Sequence, residues 1–306
     1  MKIAILGSGG VGGYYGARLA RAGHDVTFIA RGAHLAALRD RGLAIESGVS
    51  PLHLPRVQAT DDPATIAPVD VVMFCVKLWD VEQAAAQVAP LVAHGGVAIP
   101  FQNGLAAPDT LQRVLGADRV LGGVAYIAAT IRAPGVIAQT GTMARLRVGA
   151  FPGGPVERAA QFADACRAAG IETEASTDIR RALWEKFCFL AALSGCTSVA
   201  RQPVGVIRSD PDLRATFEAA VREAWSVGRA QGVALADDYV ASQMKAIDGL
   251  HADMRSSMQN DLAAGRRLEA PWLSGAVATL AKTAGLPAPV SGVLYAALKP
   301  YVAGAS

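Results

Sequence analysis

Long apolar runs are missing from this 306-residue chain. No stretch approaches the roughly 18 to 20 consecutive apolar residues that span a bilayer, so no membrane partner is expected. The apolar start, Ile3 to Leu6, is too short for a signal-peptide core, ends in glycines and lacks a small-residue cleavage pattern. A cytoplasmic protein is the expectation. Cysteine is scarce too. Cys75, Cys166, Cys188 and Cys196 stand at spacings that match no metal or redox motif, which points to free thiols and no bound metal. Charged residues make up only 18% of the chain, the formal net charge is +3, and no long basic run occurs. That leaves no electrostatic footprint for nucleic acid, while a small anionic substrate remains compatible.

What the chain has in quantity is apolar residues, 52% of the total, enough for a sizeable core. Its length suits two domains better than one. The pattern of the first thirty-one residues organises the rest: an apolar run, Ile3 to Leu6, leads into Gly7-Ser8-Gly9-Gly10-Val11-Gly12, and Ala17, Leu19 and Ala20 follow at helical spacing until Ala22-Gly23. A second strand reads from Asp25 to Ala30. A GxGxxG between a buried strand and a helix is a dinucleotide-binding signature. Gly7 permits the tight turn, Gly9 lets backbone approach a pyrophosphate, and Gly12 lets the helix lie close on the strand. The phosphate charge then meets the free N–H groups of that helix.

The end of the second strand selects the cofactor. An acid there binds a ribose 2′-hydroxyl, whereas an arginine accommodates a 2′-phosphate. The chain has Ala30-Arg31-Gly32 and no acid until Asp40, so Arg31 argues for NADP(H), against the plainer reading of a solvent-facing loop arginine.

Further along, Gly32 to Arg41 reads as a helix, and Leu43 to Glu46 and Leu52 to Ala59 as short strands. Val69 to Val76 is the continuous apolar run of a strand buried on both faces, and Lys77 just beyond it is either a second cation for cofactor phosphate or a solvated strand-end lysine. Val81 to Ala93 is an amphipathic helix. Gly96 to Pro100 is a strand that ends in Phe101-Gln102-Asn103-Gly104, a simple turn or an amide reaching over the ligand crevice. From Val120 to Val148 the pieces are β-rich and broken by Pro134-Gly135 and Gly141, which reads as an antiparallel addition to the sheet. One more helix, Pro155 to Ala169, and one more strand, Ile171 to Ala175, close this domain.

Beyond Asp178 only helical spacing remains, over Ile179 to Val199, Asp210 to Gln231, Tyr239 to Leu262, Pro271 to Gly285 and Pro289 to Tyr301. The expected fold is α/β: a Rossmann-type doubly wound sheet over residues 1–175, the NADP-binding domain, followed by an all-helical substrate and dimerisation domain over 176–306. The helical part could pack on a copy of itself, so a homodimer is a possible partner state.

Four segments together resemble the ketopantoate reductases (2-dehydropantoate 2-reductases) over essentially the whole chain: Gly7 to Gly12 with Cys75-Val76-Lys77, then Gln102-Asn103-Gly104, then Leu183-Trp184-Glu185-Lys186-Phe187, and finally Ser256-Ser257-Met258 with Glu269 twelve residues after Ser257. The resemblance implies reduction of a 2-keto acid by NADPH, ketopantoate to (R)-pantoate in pantothenate biosynthesis. It implies that Lys186 is the general acid, that Glu269 binds the substrate hydroxyl and Ser257 the substrate carboxylate, and that Asn103 touches cofactor and substrate. Ser8, Gly10 and Val11 belong with Gly7, Gly9 and Gly12 to its cofactor loop, and Arg31 with Lys77 holds the 2′-phosphate. An ammonium aimed at a carbonyl oxygen is also what hydride addition asks for chemically. The chain departs from the family in three places. Leu190 and Ser194 stand four and eight residues after Lys186, where asparagines that help bind substrate are common, and Gln139 stands where a histidine is often found. Ser194 is kept as a substrate contact. Leu190 makes the pocket more apolar and motivates an alternative, a D-2-hydroxyacid dehydrogenase for another branched or bulkier 2-keto acid.

Overall fold

In chain order the strands are β1 (Lys2–Leu6), β2 (Asp25–Ile29), β3 (Leu43–Ser47), β4 (Leu52–Leu54), β5 (Gln58–Thr60), β6 (Val71–Phe74), β7 (Val97–Pro100), β8 (Leu121–Ala133), β9 (Val136–Ala150) and β10 (Glu172–Ala175). The α-helices are α1 (Gly10–Arg21), α2 (Gly32–Arg41), α3 (Val81–Val88), α4 (Ala106–Leu115), α5 (Val156–Ala168), α6 (Ile179–Ala200), α7 (Val204–Ser209), α8 (Pro211–Ala230), α9 (Tyr239–Asp248), α10 (Ser257–Ala263), α11 (Ser274–Thr283) and α12 (Pro289–Leu298). This computed structural model describes residues 1–305. The chain divides into one unit of residues 1–102 and 106–182 and another of residues 103–105 and 183–306, so the division falls inside α6 and the segment after β7 belongs with the helices.

The first unit holds a parallel sheet in the order β5-β2-β1-β6-β7. Its strands β1 and β6 are apolar on both faces: Ile5 and Met73 on one face, and Ala4 and Val72 on the other, are fully buried. The chain leaves β1 toward β2 and β5 on one side and returns to β6 and β7 on the other. The loop after β1 therefore lies at the switch point where such sheets bind ligands.

A second sheet corrects two sequence expectations. The β8–β9 hairpin is antiparallel, but it does not extend the first sheet: the pairing with β7 is an isolated bridge from Val120, just before β8, to Ala98, while Gly123 packs against Ile99. Instead β9 pairs on its other edge with β3 and with β10, and β4 joins β3. The expected single strand over Leu52 to Ala59 is split, because Pro55 has no N–H to give a ladder. Its halves, β4 and β5, join different sheets.

The second unit is helical around a core that includes Phe187, Cys188, Phe217, Val221, Ile247, Leu268 and Val277. Here the expected helix over Tyr239 to Leu262 is two. Arg208 collects the carbonyl oxygens of Ile247, Asp248 and Leu250 at 3.2, 2.9 and 2.5 Å, which stops α9. Ser256 then restarts the helix: its Oγ accepts from the Gln259 N–H at 3.1 Å and pairs with Thr197 Oγ1 at 2.8 Å. α7 had no clear signal in the sequence, being a short helix of six residues.

Ser256 is buried. Ser256→Ala removes a helix cap and leaves the Thr197 hydroxyl without that partner, and the expected loss is about 1 to 2 kcal/mol in urea unfolding.

Candidate functional site

Two groups of residues carry chemistry, one in each unit. In the first unit the glycine loop can be read position by position. Gly7 has φ +93°, and a Cβ there would lie 2.8 Å from the backbone of Cys75 and Val76. Gly12 is as constrained: its Cβ would sit 2.3 Å from the Gly7 oxygen and 2.8 Å from the Ile5 side chain. Those are the turn and the helix–strand contact expected from sequence. Around Gly9, by contrast, nothing lies within 4 Å of a Cβ position. This open face adjoins the N-terminus of α1, whose first-turn N–H groups have no intrahelical acceptors and whose first turn carries no acid. A phosphate fits there.

Gly10 has a role the sequence did not disclose. A Cβ on it would come within 2.0 Å of the Ala129 oxygen, so the start of α1 is pressed against β8. Ser8 is buried, and its N–H and Oγ both donate to the Ile29 oxygen, at 3.3 and 3.1 Å. Its donors thus tie the loop to the end of β2. Val11 is half-buried in the first turn of α1.

Arg31 follows β2, exposed, at the start of α2. It lines a cavity of about 580 Å³ with Asp61, Asp62, Pro63, Ala64 and Gln87. Both carboxylates have partners: Asp61 meets Arg39 at 3.4 Å, and Asp62 accepts from the Ala64 N–H at 2.9 Å. Lys77 is exposed beyond β6, its Nζ 5.6 Å from the Trp79 ring centre. Gln102 donates to the Val76 oxygen at 3.0 Å while its Oε1 is buried without a hydrogen-bond partner. Gln139 is buried and engaged with Ser47 Oγ at 2.5 Å and the Gly141 oxygen at 2.9 Å, which makes it part of the second sheet's own bonding.

The second unit gathers three of the predicted residues. Lys186 lies on α6 between two buried aromatics, Trp184 and Phe187, packed edge to face with centres 5.4 Å apart. Its Nζ donates to Asn103 Oδ1 at 2.9 Å. Burial lowers the Lys186 pKa to about 8, and the Glu269 carboxylate works in the opposite direction, favouring the ammonium. Glu269 is itself buried.

The backbone explains how Asn103 and Glu269 arrive together. Gly104 has φ +84°, and a Cβ on it would lie 2.9 Å from the Trp272 oxygen. Trp272 in turn donates its N–H to the Glu269 oxygen at 3.0 Å. The glycine thus lets the Asn103 turn rest on the turn that begins at Glu269. Leu190 and Ser194 follow Lys186 at intervals of four, on one helix face; Leu190 is half-buried, and Ser194 is fully buried with its Oγ unpartnered. Ser257 is exposed at the first residue of α10, beside the buried cap Ser256.

Among the described residues no group of three or more metal-ligating side chains occurs, and no helix is long and apolar enough to cross a membrane. All four cysteines are free, and burial raises their thiol pKa values, those of Cys75, Cys166 and Cys196 to about 12. Such thiols are poor nucleophiles.

A parallel sheet with a glycine loop at its switch point, in a chain whose helical unit holds a lysine–asparagine–glutamate group, defines a class, the two-unit oxidoreductases of dinucleotide-binding fold. Residues 3–153 match the family model of the ketopantoate reductase PanE/ApbA, and residues 178–302 match that of its C-terminal part. The chain belongs to the ketopantoate reductase family and is an oxidoreductase acting on CH–OH groups. A 2-dehydropantoate 2-reductase of Halobacterium salinarum is 30% identical over 95% of both chains. The crystal structure of a PanE/ApbA family ketopantoate reductase from Ralstonia eutropha JMP134 is 33% identical, covers 99% of this chain and 98% of its own, and superposes with a TM-score of 0.90. A ternary structure of D-mandelate dehydrogenase superposes with a TM-score of 0.91 at 19% identity, covering 99% of this chain and 98% of its own, which is a likeness of fold alone.

The glycines give a contrast that can be measured. Gly9→Ala is expected to leave urea stability unchanged while weakening dinucleotide binding at least tenfold. Gly12→Ala is expected to cost about 1 to 3 kcal/mol of stability, because a methyl group is forced onto backbone.

Proposed function

We propose that this chain reduces the keto group of a small branched 2-keto acid with NADPH, and that the substrate is ketopantoate, giving (R)-pantoate for pantothenate biosynthesis. The observation that carries the reading is Lys186, a partly buried ammonium fixed to Asn103 at 2.9 Å and favoured in its charged form by Glu269. Family membership supports the same reaction type. A nicotinamide dinucleotide fits the first unit: the open side of Gly9 and the first-turn N–H groups of Gly10, Val11 and Gly12 would hold its pyrophosphate. Arg31 and Lys77 would take the 2′-phosphate that distinguishes NADP(H).

When bound, the cofactor supplies the hydride to the carbonyl carbon. Negative charge then grows on the carbonyl oxygen, and Lys186 Nζ stabilises it and transfers a proton to it. A pKa of about 8 keeps the lysine mainly protonated at neutral pH, yet makes it a stronger acid than an ordinary lysine near 10.4. Asn103 holds the amine after its proton has gone, until solvent restores it. Glu269 is the acceptor proposed for the substrate hydroxyl, Ser257 the contact for the substrate carboxylate, and Ser194 a further substrate contact.

Leu190 favours a second reading of the same chemistry. A leucine one turn along from Lys186 puts an apolar surface beside the reacting carbonyl, which suits a D-2-hydroxyacid dehydrogenase for a bulkier 2-keto acid. NADPH oxidation with ketopantoate, 2-ketoisovalerate and phenylpyruvate separates the two. The first reading expects ketopantoate to give the highest kcat/KM; a preference for phenylpyruvate would transfer the function to the second.

Reductive turnover is expected to be level below about pH 8 and to fall above it, because the ammonium is lost as pH rises through the lysine's pKa. Lys186→Ala should lower kcat by about 10² to 10⁴, the usual worth of a general acid, with cofactor affinity retained. Unchanged turnover would remove Lys186 from the mechanism.

A further inference from the structure

His34 stands three residues after Arg31 on α2 and is half-buried. Both of its ring nitrogens are engaged with backbone. Nδ1 accepts from the Gly135 N–H at 3.1 Å, and Nε2 lies 2.8 Å from the Ser8 oxygen. An N–H facing Nδ1 requires a lone pair there, so Nε2 carries the hydrogen and donates to Ser8, and the ring is neutral.

The Ser8 oxygen belongs to the same peptide plane as the Gly9 N–H, and in a trans peptide the two point in opposite directions. Holding that oxygen fixes where the Gly9 N–H points, and this is the donor at the open, Cβ-free position of the glycine loop. The other end of the ring grips the β8–β9 turn, where Gly135 has φ +79° and also accepts from the Ala44 N–H at 2.9 Å. One imidazole therefore joins the phosphate loop, the helix that begins at Arg31 and the hairpin turn.

We propose that His34 is a positioning residue for the dinucleotide: its neutral ring orients the Ser8–Gly9 peptide so that the Gly9 N–H is preset for the pyrophosphate. The proposal rests on the reading of the glycine loop as the cofactor site. Protonation would put a hydrogen on Nδ1 against the Gly135 N–H and break the clamp. Burial already lowers the His34 pKa, while its bond to Ser8 raises it. The charged groups on the elements around it are cationic or neutralised: Arg31 at the start of its own helix, Arg39 paired with Asp61 at 3.4 Å, Asp40 beside Arg41 at 4.0 Å, Arg41 also donating to the Pro134 oxygen at 3.4 Å, and Arg132 paired with Glu46. The loop from Gly7 to Gly12 carries no charge. Nothing in that set favours an imidazolium.

ADP-ribose is the probe that isolates this effect, since it carries the pyrophosphate but lacks the 2′-phosphate, which would itself titrate near pH 6. Its Kd is measured by calorimetry from pH 8 to pH 5 for the wild type, His34→Ala and His34→Gln, with folding followed by circular dichroism at each pH. Glutamine keeps one donor and one acceptor but does not titrate. Wild-type binding is expected to hold level where the ring is neutral and to weaken only where acid protonates it, with His34→Gln within threefold of wild type at pH 8 and level with pH, and His34→Ala weaker tenfold or more at pH 8. A wild-type profile that tightens in acid overturns the proposal, as does full binding by His34→Ala at pH 8. If the wild type binds neither ADP-ribose nor NADP⁺ at pH 8, the cofactor reading of the loop fails, and the proposal with it.

Discussion

A partly buried ammonium group is the constraint around which the helical unit is built. Lys186 loses hydration on α6, and burial alone would drive it toward the neutral amine. Two partners hold the charge in place, the Asn103 amide oxygen by a direct hydrogen bond and the Glu269 carboxylate by its field. Their positions come from segments far apart in sequence, and the convergence depends on a backbone contact. Gly104, left-handed and without a side chain, lets the turn after β7 lie against the Trp272 carbonyl. Any Cβ there is opposed both by φ and by space. The chemistry of the lysine is thus set by a glycine next to its hydrogen-bond acceptor.

The first unit solves a different problem by similar means. Close approaches at Gly7, Gly10 and Gly12 fasten α1 to the strand before it and to the hairpin beside it, and that rigidity leaves the one open position, Gly9, where an anion can come near backbone. Ser8 and His34 stabilise the loop from below, through Ile29 and Gly135. A loop that presents N–H groups to phosphate works only if those groups keep their direction, so the bonds that fix its carbonyls matter as much as the donors themselves.

Much of this was legible in the sequence where the signal is local. The strand–glycine–helix start, the buried run over β6 and the helical spacing after Asp178 each follow from periodicity and turn chemistry over a few residues. The elements misread were those decided by distant partners. β4 and β5 looked like one strand despite Pro55 between them, and nothing local says that each half joins a different sheet. The hairpin looked like an extension of the first sheet because its pairing with β3 and β10 is long-range. α9 and α10 looked continuous because the arginine that stops the first, Arg208, lies about forty residues upstream. For the candidate site, Lys186, Asn103 and Glu269 were nameable from their resemblance to a family, whereas His34 was not singled out. A lone histidine on a helix has no pattern; only the folded chain shows that both its nitrogens are used.

The mechanism turns on the charge state of one amine, and the titration of Lys186 itself tests it. Nitrogen NMR of lysine-labelled protein, with Lys186→Arg to assign the signal, would follow Nζ from pH 6 to pH 11 in the wild type and in Glu269→Gln. A midpoint near 8 is expected in the wild type and a lower one once the carboxylate is gone, since Glu269 holds the proton on. A wild-type midpoint near the ordinary lysine value of about 10.4, or one that does not move in Glu269→Gln, would contradict it.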